Sequence, residues 1–227
     1  MGQKPRAVLL GAGGHGKVVL DALLAAERYE LVGVVDDDTR KAGLKLLGVP
    51  VLGPPGDFSG LAAHFGIEGV VVAIGDNYIR EEKIRALRAA GLRPLGVVHP
   101  RAHISPNVKL GEGVVILAGA VVNAGTVIED NVCINTSASV DHDNHLGRSC
   151  HVFPNATLTG GVRLGEFVYV GSGAVVNPYL TIGAHSYVGA GAVVIEDVPE
   201  GLTVVGVPAR GISRRQPAPH YAKVNKP

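Results

Sequence analysis

Residues 104 to 199 repeat every six positions without a break, and this period constrains the fold of nearly half the chain. Steps of six from Ile104 give Ile104, Leu110, Ile116, Val122, Ile128, Ile134, Val140, Leu146, Val152, Leu158, Leu164, Val170, Val176, Ile182, Val188 and Val194, sixteen branched aliphatics in a row. Four residues after each stands a small side chain in fourteen of the sixteen hexads; Asn144 and Leu180 are the exceptions. Six matches neither the 3.6 of an α-helix nor the period of two of a half-buried strand. A fixed short period marks a solenoid of stacked hexapeptide turns, a parallel β-helix. Each hexad supplies a short strand and a corner, three hexads close one triangular coil, and residues eighteen apart stack. The first and fifth positions point inward. Burying each aliphatic is worth roughly 1.5–3 kcal/mol, but no hexad buries its inner face alone, so stability comes from stacking neighbours.

The unbroken hexads resemble the left-handed β-helix of the hexapeptide acyltransferases. The handedness is implied by that resemblance alone, because parallel crossovers are otherwise right-handed. So is a homotrimer with active sites between subunits. Composition agrees with such a core: Gly is 32 of 227 residues, aromatics are 4 % and Trp is absent. A formal charge of +1 gives no basic field for nucleic acid or a membrane surface. Nothing at the N-terminus resembles a signal peptide, and no apolar run reaches the ~18 residues of a membrane span. Cys133 and Cys150 occupy different hexad columns, as expected of unpaired buried thiols in a reducing compartment. A cytoplasmic protein is expected.

The first hundred residues follow other rules. Arg6–Leu10, Leu31–Val35, Gly69–Ile74 and Pro94–Val98 read as strands, with an amphipathic segment at Lys17–Glu27 and a charged helix near Ile79–Ala90 between them. Strands alternating with helices imply a small Rossmann-like parallel sheet. The expected division is a nucleotide-sugar-binding domain at 1–99, the β-helix at 100–213 and a tail at 214–227. Gly11, Gly13 and Gly16 form G-x-G-x-x-G between a strand and a helix, with Asp36 twenty residues on. Such glycines admit a pyrophosphate to a helix N-terminus, and the acid can take a ribose hydroxyl. The same donors suit a nucleotide-sugar diphosphate, and NAD is not expected.

GAGGHGKVV, the acidic pair after the second strand, AIGDNYIR after the third, and INTSASVDHD within the hexads together resemble one subgroup. These are the bacterial nucleotide-sugar acetyltransferases that N-acetylate 4-amino-4,6-dideoxy sugars, together with sialic-acid O-acetyltransferase relatives. The resemblance covers residues 5 to about 213 and implies acetyl-CoA as co-substrate, a nucleotide-linked amino sugar as acceptor, and no metal. Gly11, Gly13, Gly14, His15, Gly16, Asp36, Asp37, Gly75, Asp76 and Asn77 are the expected substrate-binding residues.

The hexads carry unusual residues at Asn135-Thr136-Ser137, Asp141 to His145 and Cys150-His151. His142 takes the third position of its hexad, which faces outward. An imidazole near its free pKa of ~6.5 suits removal of a proton from the incoming amine, and an adjacent carboxylate can fix its tautomer. The resemblance makes His142 the general base and Asp143 its partner, with Asp141 an alternative partner. It sets Asn135 and His151 against the acetyl group. Gly160, Gly161, Gly171, Ser172, Gly189, Ala190, Pro208 and Arg210, with His151, resemble CoA-lining positions, Gly160 and Gly161 leaving room for the pantetheine arm. Three alternatives stand beside this reading: O-acetylation of a sialic-acid-like sugar, a zinc carbonic anhydrase using His142, His145 and His151, and a non-catalytic nucleotide-sugar sensor.

Overall fold

A computed structural model describes residues 3–214. The tail expected at 214–227 lies outside the described residues except for Arg214. Near the N-terminus, β1 (Arg6–Leu10), β2 (Glu30–Val35), β3 (Lys45–Leu46), β4 (Val49–Gly53), β5 (Gly69–Val72) and β6 (Arg93–Pro94) form one sheet in the order β3-β4-β2-β1-β5-β6. It is parallel except for the β3–β4 hairpin. Residues alternate across β1: Leu9 packs under α1 (Gly14–Ala26), while Val8 and Leu10 pack under α2 (Phe58–Phe65) and α3 (Asn77–Ala89). The β3–β4 hairpin and α2 are absent from the sequence reading, which found no period long enough to place them.

Short parallel strands then stack in three faces. The first face contains Val97–Val98, Val115–Ile116, Cys133–Ile134, His151–Val152, Tyr169–Val170 and Tyr187–Val188, continued by Leu202–Val205 and, antiparallel to it, Arg210–Arg214. The second runs from His103–Ile104 to Val193–Val194, and the third from Lys109–Leu110 to Thr181–Ile182. Every register step within these faces is eighteen residues up to the last hexad, for example Val115 to Cys133 to His151. The fourteen aliphatics from Ile116 to Val194 are all buried. Leu110 is 42 % exposed because it opens the third face and no coil lies beneath it. The fourth residue of every hexad from Gly113 to Gly191 turns a corner with positive φ, and eight of those fourteen residues are not glycine.

The run Pro94–Val98 corrects the single strand expected there. Arg93–Pro94 pairs with β5, whereas Val97–Val98 pairs with Val115–Ile116. The chain therefore changes sheets at Leu95-Gly96, a few residues before the expected division at residue 100. Gly96 permits this: a Cβ there would fall against the Val114 carbonyl oxygen.

The two parts share a core. Val19, Leu20 and Leu23 of α1 join Val97, Val115, Leu117 and Cys133 of the first face in one cluster. A polar network adds to it. Arg80 is 2 % exposed, and its guanidinium donates to the Ile74, Asn131 and Ser149 carbonyls and to Asn77 Oδ1 and Asn131 Oδ1. Glu81 accepts from Asn131 Nδ2 at 3.1 Å and Ser149 Oγ at 2.8 Å. Burial works against ionised Glu81, but these hydrogen bonds and those from arginine hold its carboxyl below the usual range. Replacing Asn131 would take a hydrogen-bond partner from both buried charges at once.

Candidate active site

The glycine loop makes a tight turn into α1 at Gly11–Gly16. Gly11 adopts φ +114°, and a Cβ there would lie 2.7 Å from the Ala73 carbonyl oxygen. A Cβ at Gly16 would strike the Gly11 carbonyl oxygen. Gly13 and Gly14 have open space around them. Helix α1 begins with no side-chain cap and no acidic residue in its first turn. Its leading N–H groups lack intrahelical partners and can receive an anion.

These groups open into a cleft of about 990 Å³ between the N-terminal sheet and the β-helix. Gly11, Gly13, Gly14, His15, Gly16, Asp36, Gly75 and Asp76 line one side; Asn135, His151, Phe153, Pro154 and Ser172 line the other. Lys41, Val18, Ile74 and Ile79 also line it. No motif flagged Phe153, Pro154 or Lys41, though stacking at eighteen residues aligns Phe153 with Asn135 and Gly171, and Pro154 with Thr136 and Ser172.

Within the cleft, protein groups already engage Asp36. Its Oδ2 accepts from Ala12 N at 2.6 Å and Lys41 Nζ at 3.0 Å, and its Oδ1 from Asp38 N at 2.9 Å. Burial opposes its ionisation, but these donors outweigh it and keep its carboxyl low. Asp76 caps α3 through Oδ1, which accepts from Tyr78 N and Ile79 N, while its buried Oδ2 has no protein partner. Asp37 pairs with Lys83 at 2.9 Å and lies outside the cleft lining. Asn77 corrects the expectation that it meets substrate. It is fully buried, its Oδ1 accepts a hydrogen bond from Arg80 Nη2 at 2.9 Å, and its backbone N donates to Tyr169 Oη at 2.6 Å, so it joins the two parts of the fold.

His151 is 2 % exposed under His15 and Phe153. The Gly75 carbonyl, 3.3 Å from Nδ1, can only accept, so Nδ1 carries the proton. Nε2 then accepts from Asn135 Nδ2 at 3.2 Å. Burial first, then the Arg80 charge and His15, push the His151 pKa well below the ordinary value, so the ring is neutral. Burial and Arg80 also lower His15, to about 4. The ligand atoms of His15, Cys133 and His151 lie within 4.8 Å of one another, the one such cluster among the described residues. They are the residues able to hold a soft metal ion. In the structure they form a neutral packed group: both His151 nitrogens are hydrogen-bonded, and burial pushes Cys133 up to about 12.

His142 occupies the next edge of the prism, between the second and third faces. Its side chain is 49 % exposed. Nδ1 lies 2.9 Å from Asp143 Oδ2, which leaves Nε2 for chemistry. Hydrogen bonding to Asp143 raises the His142 pKa above the ordinary value. Asp141 turns away, accepting from the His142 backbone N at 2.8 Å and Asn123 Nδ2 at 2.9 Å. Asn144 explains its own exception to the hexad pattern. Buried, it donates to the carbonyls of Asp141, His142 and Thr159 and so clamps the turn that carries His142.

The CoA-like positions divide between the two edges. Gly160 and Gly161 stack on the His142 edge; Gly171, Ser172, Gly189 and Ala190 continue the edge of Asn135 and Phe153. They form no single track on one chain. Gly160 does not leave an empty slot: a Cβ there would lie 2.5 Å from His142 Nε2, so its bare backbone makes room for the imidazole. Pro208 lies in the turn between Leu202–Val205 and Arg210–Arg214, and Arg210 pairs with Glu196 at 3.2 Å. His142, His145 and His151 do not converge within one chain, since His145 lies on the third face paired with Glu129 at 3.0 Å.

A parallel solenoid carrying an exposed His–Asp pair, joined to an α/β domain whose glycine loop opens into a cleft, is the architecture of a hexapeptide-repeat acyltransferase. Residues 6–87 match the family described as the PglD N-terminal domain. PerB from Caulobacter crescentus, solved in complex with CoA and GDP-perosamine, is 41 % identical with a TM-score of 0.85 over 94 % of this chain and 98 % of that one. The acetyltransferase domain of PglB from Neisseria gonorrhoeae, in complex with acetyl coenzyme A, is 37 % identical with a TM-score of 0.84 over 92 % of this chain and 100 % of that one. WeeI from Acinetobacter baumannii is 28 % identical with a TM-score of 0.77 over 92 % and 100 %. This chain belongs to the hexapeptide-repeat nucleotide-sugar acetyltransferase family, and its β-helix is left-handed.

Proposed function

We propose that the protein transfers the acetyl group of acetyl-CoA to the amine of a nucleotide-linked 4-amino-4,6-dideoxy sugar. The carrying observation is the pairing of an exposed His142–Asp143 dyad with a cleft whose far wall is an uncapped helix N-terminus. The diphosphate is received at Gly13–Gly16, and binding energy gathered there positions an amine at a distant reacting centre. His142 Nε2 takes the ammonium proton, and Asp143 stabilises the imidazolium. The amine nitrogen attacks the thioester carbonyl carbon, the C–S bond breaks, and the second N–H proton passes to the departing sulfur, so that CoA leaves as its thiol. Asn135 Nδ2 carries a second proton beyond the one given to His151 and can donate to the carbonyl oxygen as it gains charge. His151 acts by fixing that amide.

The dyad and Asn135 sit on the two edges that border the second face, so one chain alone does not unite them. The outward residues of that face are small or β-branched from Val121 through Ser139, Thr157 and Val175 to Val193, and each is half-buried in the isolated chain. The third face instead presents Lys109, His145, Arg163 and Thr181. Turning the second face of each copy toward a three-fold axis brings the Asn135 edge of one subunit to the His142 edge of its neighbour. A homotrimer with CoA between subunits follows, and it reunites the divided CoA-like positions. Among the described residues no helix is long and apolar enough to cross a membrane. Two free buried thiols accord with a cytoplasmic enzyme.

The test is a screen of acetyl-CoA against UDP-, GDP-, dTDP- and CMP-linked 4-amino sugars, read as release of free CoA thiol and an amide product. An alkali-labile ester would move the reaction to oxygen; no turnover with any sugar would overturn the reading. A monomer by solution mass at micromolar concentration would overturn the composite site.

A further inference from the structure

We propose that Gly125 is a positioning residue for the His142–Asp143 dyad, its bare backbone being the seat on which the Asp143 carboxylate rests. The proposal builds on the reading of His142 as general base. Gly125 and Asp143 stand eighteen residues apart at corners of successive coils, and the Asp143 backbone N donates to the Ala124 carbonyl at 2.9 Å. One coil further, the Gly161 backbone N donates to the His142 carbonyl at 2.9 Å. The dyad is thus laddered to Ala124 on one coil and to Gly161 on the next. A Cβ at Gly125 would collide with Asp143 Oδ1, and one at Gly160 would lie 2.5 Å from His142 Nε2.

Backbone conformation does not explain the glycine at 125. Its φ is +77°, but the matching corner residues Asn131, Ser137, Asp143, Ser149, Asn155, Phe167, Tyr179 and His185 carry side chains at φ between 55° and 62°. The coil accepts side chains at this corner. What Gly125 alone supplies is space for a carboxylate oxygen. Because the colliding atom is the end of an exposed side chain, an added methyl displaces the carboxylate and spares the coil. Asp143 then loses its 2.9 Å contact with Nδ1, the contact that raises the basicity of His142.

The decisive measurement is the His142 pKa by NMR titration of the imidazole in Gly125→Ala, Asp143→Asn, the double variant and the parent protein. Gly113→Ala is the control, since it has φ +67° and a Cβ there would meet Ile84 and Pro94 at an ordinary 3.4 Å. Gly125→Ala is expected to lower the His142 pKa toward ~6.5, as Asp143→Asn does, with no further fall in the double variant. Its kcat should drop roughly 10–100-fold, within the span of a weakened general base, with both KM values and the melting temperature matching Gly113→Ala. An unchanged His142 pKa in folded Gly125→Ala overturns the proposal. A lowered pKa with undiminished kcat keeps the seat and overturns His142 as the base.

Discussion

His142 and His151 stand nine residues apart, one at an edge of the prism and the other on its first face, and the fold drives them in opposite directions. His151 lies beneath the N-terminal sheet, where burial and the Arg80 cation lower its pKa and leave a neutral ring tied to Gly75 and Asn135. His142 projects from the open edge, where the Asp143 carboxylate raises its pKa. One imidazole is a neutral, fixed ring beside an amide; the other is exposed with its basicity raised. Burial against a neighbouring cation, or exposure beside a carboxylate, decides which task a histidine performs.

The sharpest way to break this contrast is to exchange the losses. His142→Ala is expected to lower kcat by roughly 10²–10⁴-fold with the fold intact, because the side chain is half exposed and supports no core contact. Near-normal kcat would remove His142 from the base role. Gly160→Ala should come next, lowering kcat roughly 10–100-fold by displacing a base worth ~10²–10⁴, since its Cβ would lie 2.5 Å from Nε2. If steady-state kinetics found only a raised KM for acetyl-CoA, that glycine would serve the cofactor instead.

On the cleft side, Gly13→Val should weaken nucleotide-sugar binding about tenfold or more by calorimetry, a loss of ~1.4 kcal/mol or greater, and leave acetyl-CoA binding unchanged. The position tolerates a side chain in the fold, with φ −87° and nothing nearby, so the valine would project into the cleft. Equal loss for both ligands would merge the two edges into one site.

Titration separates the histidines more finely. A raised His142 pKa means that the neutral base is lost as pH falls, starting above ~6.5. The acid limb of kcat/KM should lie above that value in the parent protein and move to lower pH in Asp143→Asn. A limb that stays in place would dissociate the carboxylate from the base. His151 has the opposite sign. Its folded pKa is depressed, so its stabilising contribution is complete above the unfolded pKa of ~6.5 and is lost as pH falls below it. The melting temperature should fall on acidification from pH 6.5 to 4, and less steeply in His151→Asn. Equal slopes would mean that His151 is not held neutral.

Much of this contrast can be read from residue order. The hexad period predicts every strand from Ile104 to Val194, and stacking at eighteen residues already separates the His142 edge from the Asn135 edge. The D-H-D run and the glycine loop point to the two chemistries. Other features leave no mark in the pattern. Arg80 reads as one more charge on an exposed helix, yet it is buried against the carbonyls of Asn131 and Ser149. Asn77 reads as a ligand and is a joint. Gly160 reads as space for pantetheine and is the floor under an imidazole.

What the sequence by itself determined is the part built from repeated local rules. An inward aliphatic every six residues stacks only on its neighbours, so its position follows from counting. What only the tertiary structure decided is which face of the prism is covered. The N-terminal sheet lies on the first face through α1, Arg80 and Asn77, contacts between residues more than 50 positions apart that follow no period. That cover desolvates His151 and leaves His142 in the open, and desolvation depends on the summed surroundings of a group, which neighbours in sequence do not specify.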